Sequence, residues 1–291
     1  MQEQWTILKL IKWTTDYLAE KGIDTPRLDG ELLLAHALEM DRTHLYMNFD
    51  KPLNDDELSL FRALIKRRAM REPLQYITGN QEFWSMEFKV APSVLIPRPE
   101  TELLVEEGAR ELEKSFPDYP LLDILDIGTG SGALTAALAK EVSCSHVIGV
   151  DMSEEAISMA KENIEANSLS SSVTILEGDL FEPVGEKFFH LIVSNPPYIP
   201  KGDLKGLQPE VGKYEPLSAL NGGDDGLDYY RTIIPESLKH LHPGGWLMVE
   251  HGEGQSEAIV KLFENTGQFE EVKAIKDLAG IYRVIKGRMK R

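Results

Sequence analysis

One cysteine, Cys144, stands in 291 residues. That excludes an internal disulfide framework and any paired-cysteine metal site. The seven histidines, His242 and His251 among them, fall at no metal-ligand spacing. No apolar run approaches the length needed to cross a bilayer. The opening Met1-Gln2-Glu3-Gln4 lacks the basic and apolar regions of a secretory leader, so a soluble, cytoplasmic protein is expected. There is no G-x4-G-K-[ST] phosphate loop and no G-x-S-x-G elbow, which leaves nucleoside triphosphate hydrolysis and serine hydrolase chemistry without support. Internal repeats and low-complexity tracts are also missing.

Basic residues are scarce, and unevenly so. The net charge is −17. Residues 1–80 carry 11 basic and 13 acidic side chains, whereas residues 81–291 carry 20 and 35. A strongly acidic domain is a poor partner for nucleic acid phosphates. No direct nucleic acid binding and no membrane partner are expected; a protein or small-molecule substrate is.

What is present divides into three parts: a helical domain at 1–74, a β-hairpin linker at 75–98 and a catalytic domain at 99–291. In the first, Ile7, Leu10, Ile11 and Leu18 recur at helical spacing. Thr25-Pro26 reads as an N-cap with proline at the first helical position, followed by an apolar stripe of Leu28, Leu32 and Ala35. Asn54 with Glu57 resembles a capping box ahead of Leu58, Phe61 and Ile65. Lys66, Arg67, Arg68 and Arg71 close that helix. They suit helix-dipole compensation on a solvated face, or a docking patch for an acidic partner. From Tyr76 the pattern turns to short strands, with Gly79-Asn80 as a turn signal. The Arg98-Pro99-Glu100-Thr101-Glu102 segment then leads into a helix near Thr101. It reads either as a plain helix start or as a cover over a ligand pocket.

From about residue 121, strands and helices alternate, which predicts a doubly wound parallel sheet. Strands fall at 121–127, 146–150, 173–176, 188–193 and 245–250, and near 270–275 and 281–286. Ser153 caps the helix that carries Ile157, Ala160 and Ile164. A long polar loop at 199–226 is a lid candidate by its length.

The chemistry gathers after successive strands. Gly128, Thr129, Gly130, Ser131 and Gly132 follow the first strand, where glycines permit a tight turn and close ligand approach. Asp151 ends the second strand, where a carboxylate accepts both ribose hydroxyls of an adenosine. Asp179 and Leu180 follow the third, with Asp179 placed for an adenine amine. The spacing is G-x-G-x-G after Asp126, not the dinucleotide G-x-G-x-x-G. An acidic residue there suits a ligand with ammonium and sulfonium charges, S-adenosylmethionine (SAM). Asn195-Pro196-Pro197-Tyr198 follows the fourth strand. Two prolines offer no N–H, so the turn displays carbonyls and one Asn side chain, with an aromatic ring to close it. Such a turn suits a planar group bearing –NH2, an amide or a nucleobase amine.

On these residues the chain resembles the class I SAM-dependent methyltransferases, and more closely the peptide chain release factor glutamine N5-methyltransferases. The resemblance spans nearly the whole chain. It includes Arg98 to Glu102, Asp126 to Gly132, Asn195 to Tyr198, and Glu215-Pro216 through Ala219-Leu220, Gly222-Gly223, Asp225-Gly226-Leu227 to Tyr230-Arg231. It implies an α/β, Rossmann-like SAM-dependent methyltransferase domain with a small N-terminal helical domain. It implies SAM as cofactor, lined by Gly128 to Gly132, Asp151, Asp179, Leu180 and Asn195. It implies class 1 release factors as protein substrate, with the glutamine of their Gly-Gly-Gln motif held by Asn195, Pro196, Pro197 and Tyr198. One departure is Leu180, where some members carry Trp. The rival readings are a glutamine methyltransferase of a ribosomal protein, an amino methyltransferase of nucleic acid bases, and a SAM-binding module without catalysis.

Overall fold

The structure is a computed structural model that describes residues 4–291. The reading of Met1, Gln2 and Glu3 against a leader lies outside the described residues. No helix among the described residues is long and apolar enough to cross a membrane.

One unit runs up to Gly79 and also takes in Gln208–Tyr214. Helix α1 (Ile7–Glu20) starts where the Thr6 side chain accepts from the Lys9 N–H, and it buries Ile7, Leu10, Ile11 and Leu18. Helix α2 (Pro26–Ala37) departs from the expected stripe. Leu28 is exposed and Leu32 only half-buried, while Leu33, Leu34, Asp29 and Glu31 are buried. Ion pairs account for that face. Arg68 reaches Asp29 at 2.6 Å, and Arg27 and Arg42 reach Glu31 at 2.9 and 2.7 Å. The Thr25 hydroxyl donates to Asp29 instead of capping the backbone. After α3 (Arg42–Met47), α4 (Asp55–Ala69) opens with the Asn54–Glu57 capping box. In the basic run at its end Lys66 is exposed, but the three arginines are paired. Arg67 pairs with Glu72, buried Arg68 holds both Asp29 and Glu210, and Arg71 also holds Glu210. Tyr76 to Thr78 forms no strand: α5 (Leu74–Thr78) is a short helix, entered through Pro73 and ended by Gly79 at φ 78°.

The second unit spans Asn80–Leu207 and Glu215–Arg291. Its hairpin, β1 (Asn80–Phe83) and β2 (Met86–Lys89), turns at Trp84-Ser85 and not at Gly79-Asn80. Both turn residues have positive φ, 50° and 54°, as a two-residue hairpin connection of the mirror-image type demands. Helix α6 (Glu102–Ser115) follows a 3-10 turn at Pro99–Thr101. Then come β3 (Leu122–Ile127), α7 (Ala133–Glu141), β4 (Ser145–Asp151), α8 (Glu154–Ala166), β5 (Val173–Glu177) and β6 (Phe189–Ser194). The loop after β6 is not structureless; it holds short helical turns, including α9 (Pro209–Tyr214). The chain ends with α10 (Asp228–Ser237), β7 (Leu241–Glu250), α11 (Ser256–Asn265), β8 (Phe269–Lys276) and β9 (Tyr282–Met289).

The seven-stranded sheet has the order β5-β4-β3-β6-β7-β9-β8. Strands β3 to β7 pair in parallel, and β9 runs antiparallel to both neighbours. Alternation along the strands sorts the core into two faces. Leu122 and Ile124 of β3 pack with α6, α7 and α8, whereas Leu125 and Ile127 pack with α10 and α11. The hairpin is fastened to the first face by Asn163 of α8, which exchanges hydrogen bonds with the Lys89 backbone at 2.8 and 3.0 Å. Order reverses between β3 and β6, and that reversal is where open α/β sheets hold ligands beyond the strand ends.

Candidate active site

The loop after β3 turns through three glycines in the left-handed region, Gly128 (φ 77°), Gly130 (56°) and Gly132 (81°). They do different things. A Cβ on Gly128 or Gly130 would meet no atom within 4 Å, and both line an open cavity at the β3/β6 switch, so a side chain there would occupy the cavity. A Cβ on Gly132 would lie 3.1 Å from that of Ala160, so this glycine lets α8 pack close. The Gly128 and Thr129 N–H groups donate to the Val150 carbonyl at 2.8 and 3.0 Å, tying the loop to β4.

Asp151 ends β4 and is oriented by two backbone donors, Gly130 N–H on Oδ2 at 2.9 Å and Ser153 N–H on Oδ1 at 3.0 Å. A carboxylate has about four acceptor sites, so half of them remain. Asp126 is buried behind the loop and does not line the cavity. Burial pushes its pKa up to about 6 against a hydrogen bond from Thr135 at 2.7 Å, and the Asp151 charge adds to the rise. Its Oδ1 has no hydrogen-bond partner among the described residues. Beyond β5, Asp179 and Leu180 reach the lining, with Leu180 at φ 48°.

At the end of β6 the Ser194 hydroxyl donates to the Ile127 carbonyl at 2.8 Å, which locks the two switch strands together. Asn195, Pro196 and Pro197 then line the cavity. The Asn195 Nδ2 donates to Thr101 Oγ1 at 3.1 Å. Tyr198 is not in the lining. Its ring lies against Gly252, where a Cβ would come within 3.1 Å of it, and its carbonyl accepts from Gln255 at 2.9 Å. Burial, with the Glu250 charge nearby, pushes its phenol up to about 12, so it stays protonated. Thr129, Ser131 and Gly132 also stand behind the lining. Thr129 shares a 2.8 Å hydrogen bond with Thr135, and the Ser131 carbonyl accepts from Asn163.

The structure thus brings Gly128, Gly130, Asp151, Asp179, Leu180, Asn195, Pro196 and Pro197 around one cavity of about 830 Å³, its open mouth included. Sequence reasoning did not assign the rest of the lining, which includes Ser93 to Leu95, Met152, Pro216, Ser218 and Ala219, and Tyr229. The 216–219 stretch and Tyr229 carried a signal, as parts of the resemblance. Met152 follows Asp151 directly, and Ser93 to Leu95 are delivered by long-range folding. No group of three or more metal-ligating side chains occurs among the described residues.

Known proteins match this chain over both of its units. Residues 9–79 match the profile of the PrmC N-terminal domain and residues 102–206 that of the methyltransferase small domain. A release factor glutamine methyltransferase of Geobacter sulfurreducens is 52% identical over 287 residues, covering 99% of this chain and 98% of its own. The chain belongs to the release factor glutamine methyltransferase family. A second member, from Rhodopirellula baltica, is 40% identical over 282 residues, 97% of this chain and 95% of its own. Solved structures establish the fold alone. A methyltransferase of Pyrococcus furiosus superposes with a TM-score of 0.53 at 22% identity, over 78% of this chain and 99% of that one. The hMettl16 catalytic domain, solved with a MAT2A 3′UTR hairpin, gives 0.57 at 18%, over 75% and 80%. In this member of the family the first profile falls on the helical unit. The second runs from α6 through β6, and so contains the glycine loop, Asp151 and the Asn-Pro-Pro-Tyr turn.

Proposed function

We propose that this chain transfers a methyl group from SAM to the side-chain amide nitrogen, N5, of the glutamine in the Gly-Gly-Gln motif of class 1 peptide chain release factors. One observation carries the reading. One Nδ2 hydrogen of Asn195 goes to Thr101, which turns the NH2 end of the amide toward Thr101 and makes Oδ1 the acceptor it brings to the cavity that Gly128, Gly130 and Asp151 also line. An acceptor beside a nucleoside-type pocket suits a substrate that presents an –NH2 group. The names of the relatives point to release factors as the protein that bears it.

The residues fit SAM. The glycine loop leaves open space where side chains would stand. Asp151 is held in place with acceptor sites to spare for ribose hydroxyls. Asp179 and Leu180 form the neighbouring wall, with Asp179 for the adenine amine. Thr129, Ser131 and Gly132 would act through the shape of the loop. No helix N-terminus has to face a pyrophosphate.

When bound, SAM supplies a methyl group on a sulfonium sulfur, a very good leaving group. The protein's task is alignment, since an amide nitrogen is a poor nucleophile whose lone pair is delocalised. Asn195 Oδ1 and the Pro196 carbonyl accept the two amide hydrogens of the glutamine, which aims its nitrogen and favours positive charge on it. Pro197 contributes by lacking an N–H that would compete. Tyr198 closes the turn from behind and keeps water out on that side. No strong base is needed, because the methylated nitrogen, once cationic, is acidic enough to release its proton afterwards. In this scheme residues 1–74 dock the release factor, 75–98 link the domains and 99–291 carry out transfer.

The test is methyl transfer from labelled SAM to a purified class 1 release factor, beside the same factor with the Gly-Gly-Gln glutamine changed to alanine, a ribosomal protein preparation and RNA. Label on the intact factor alone supports the proposal. Label on ribosomal protein or RNA instead keeps the cofactor and overturns the substrate.

A further inference from the structure

From sequence, Arg98-Pro99-Glu100-Thr101-Glu102 reads either as a plain helix start or as a cover over a ligand pocket. The contacts of Arg98 fit the second. Its Nη2 donates to both carboxylate oxygens of Glu215, at 2.7 and 2.6 Å. The Glu215 side chain is only 1% exposed, and among the described residues Arg98 is the one cation paired with it. The two residues stand 117 positions apart in the chain. Each adjoins a different part of the cavity lining. Ser93 to Leu95 come shortly before Arg98, and Pro216, Ser218 and Ala219 come directly after Glu215.

The two stretches are not equally anchored. The first holds itself in place, because Val94 and Ile96 are buried. Pro97 and Pro99 stiffen the chain on either side of Arg98. The Arg98 carbonyl accepts from the Thr101 N–H at 3.1 Å. The second stretch has little of this. The 3-10 turn Leu217–Ala219 buries none of its side chains, and Leu217 is 60% exposed. On its far side buried Leu220 ties it down, with a carbonyl that accepts from the Ile199 N–H at 3.0 Å. On its near side the side-chain tie is Glu215. A segment with no buried side chains opens easily unless its ends are held.

The near tie depends on charge. A buried carboxylate is tolerated only while a cation matches it. Burial raises the Glu215 pKa, and the Arg98 charge acts against that rise. Without Arg98 the carboxyl either takes up a proton or moves out to water. The second route carries Pro216 to Ala219 away from the cavity.

We propose that Arg98 and Glu215 are positioning residues that clasp a movable part of the cavity lining, Pro216 to Ala219, to a fixed part, Ser93 to Leu95, and so retain SAM. The inference rests on the reading of this cavity as the SAM site. Arg98 is the fixed post and Glu215 the catch. SAM is enclosed while the pair is closed and escapes when it parts.

The experiment uses the full chain with Arg98→Ala, Arg98→Lys, Glu215→Gln and the double variant Arg98→Ala/Glu215→Gln. Backbone hydrogen exchange of the SAM-free protein reads the clasp without turnover. Faster exchange is expected at 217–220 in Arg98→Ala and Glu215→Gln, with Val94 to Ile96 unchanged. SAM affinity by calorimetry should weaken about tenfold, as when the binding-competent state is populated a tenth of the time. Chase of labelled SAM should show faster dissociation. Because a single nitrogen serves both carboxylate oxygens, Arg98→Lys should keep most of the affinity. The double variant should be no worse than either single one, since both remove the same pair. With release factor as substrate, the loss falls on the KM for SAM and not on kcat at saturating SAM. Glu215→Gln strands no buried charge, so it keeps the test open if Arg98→Ala fails to fold. Unchanged SAM affinity and dissociation in Glu215→Gln, additive losses in the double variant, or exchange that rises equally in both stretches would overturn the proposal. A wild type that binds no SAM overturns the cofactor reading, and retention with it; the exchange difference between the two stretches still decides whether the pair is a clasp.

Discussion

Asn195 and Asp126 are polar residues one strand apart, and the structure uses them differently. Asn195 stands at the cavity with its oxygen to offer. Asn195→Ala is expected to lower kcat by about 10²-fold or more, the order that removing one preorganised hydrogen-bonding group costs. SAM affinity should change little; small and equal effects on both would contradict its role. Asp126 contributes from behind the loop and at a cost in stability. Its carboxyl keeps a proton up to about pH 6 in the folded protein, against an ordinary 3.8. A raised carboxyl pKa favours the folded state below 3.8, and that contribution is lost as pH rises through about 6. The ionised, buried group then costs about 3 kcal/mol, at 1.36 per unit. Asp126→Asn is therefore expected to stabilise the protein toward denaturant by up to about that much at pH 8, and by less at pH 5. A gain independent of pH would show that the buried charge is not its source.

Among the elements, α6 and β9 are joined by charge buried inside the core. Lys286 of β9 donates to Glu107 at 2.8 Å and to Glu111 at 2.7 Å, all three almost fully buried. At Glu111, burial raises the pKa, but the Lys286 hydrogen bond and charge outweigh it and the net shift is down. Removing the lysine leaves Glu107 with Arg110 alone and Glu111 with Arg110 and Lys114 only at 3.9 Å, so Lys286→Ala should cost up to about 3–5 kcal/mol in chemical denaturation. Replacing all three at once by apolar residues of similar size should cost far less. If the triple variant is as unstable as the single one, packing and not charge is what Lys286 supplies. In the helical unit, Arg68 between Asp29 and Glu210 is built the same way, with the 208–214 segment as one partner. These pairs explain where element-level reading from sequence failed. The stripe on α2 was assigned to Leu28 and Leu32 because apolar spacing cannot see that Asp29 and Glu31 have cationic partners 39 and 11 residues away.

At the scale of the molecule, charge and topology act together. The chain carries −17, nearly all of it in residues 81–291. Such a surface repels a polyanion, and the fold's likeness to the hMettl16 catalytic domain does not offset that. No retention on immobilised RNA or duplex DNA is expected even at low salt, where phosphate binding is strongest. Retention that falls steeply with salt would reopen a nucleic acid substrate. The topology gathers the site at a single place, where strand order reverses between β3 and β6.

The sequence by itself determined the alternation of strands and helices from residue 121 on, the glycine loop, the caps at Asn54–Glu57 and Ser153 and the turn of prolines. Each depends on neighbours a few residues apart, where period, φ preference and missing N–H groups act directly. The strand-end positions of Asp151 and Asn195 were legible for the same reason. Tertiary structure alone decided which of these share a cavity, that Tyr198 turns away from it, that the three arginines closing α4 are paired, and that Thr101 meets Asn195. Those outcomes join residues tens to more than a hundred positions apart, through burial and charge pairing that no local pattern encodes.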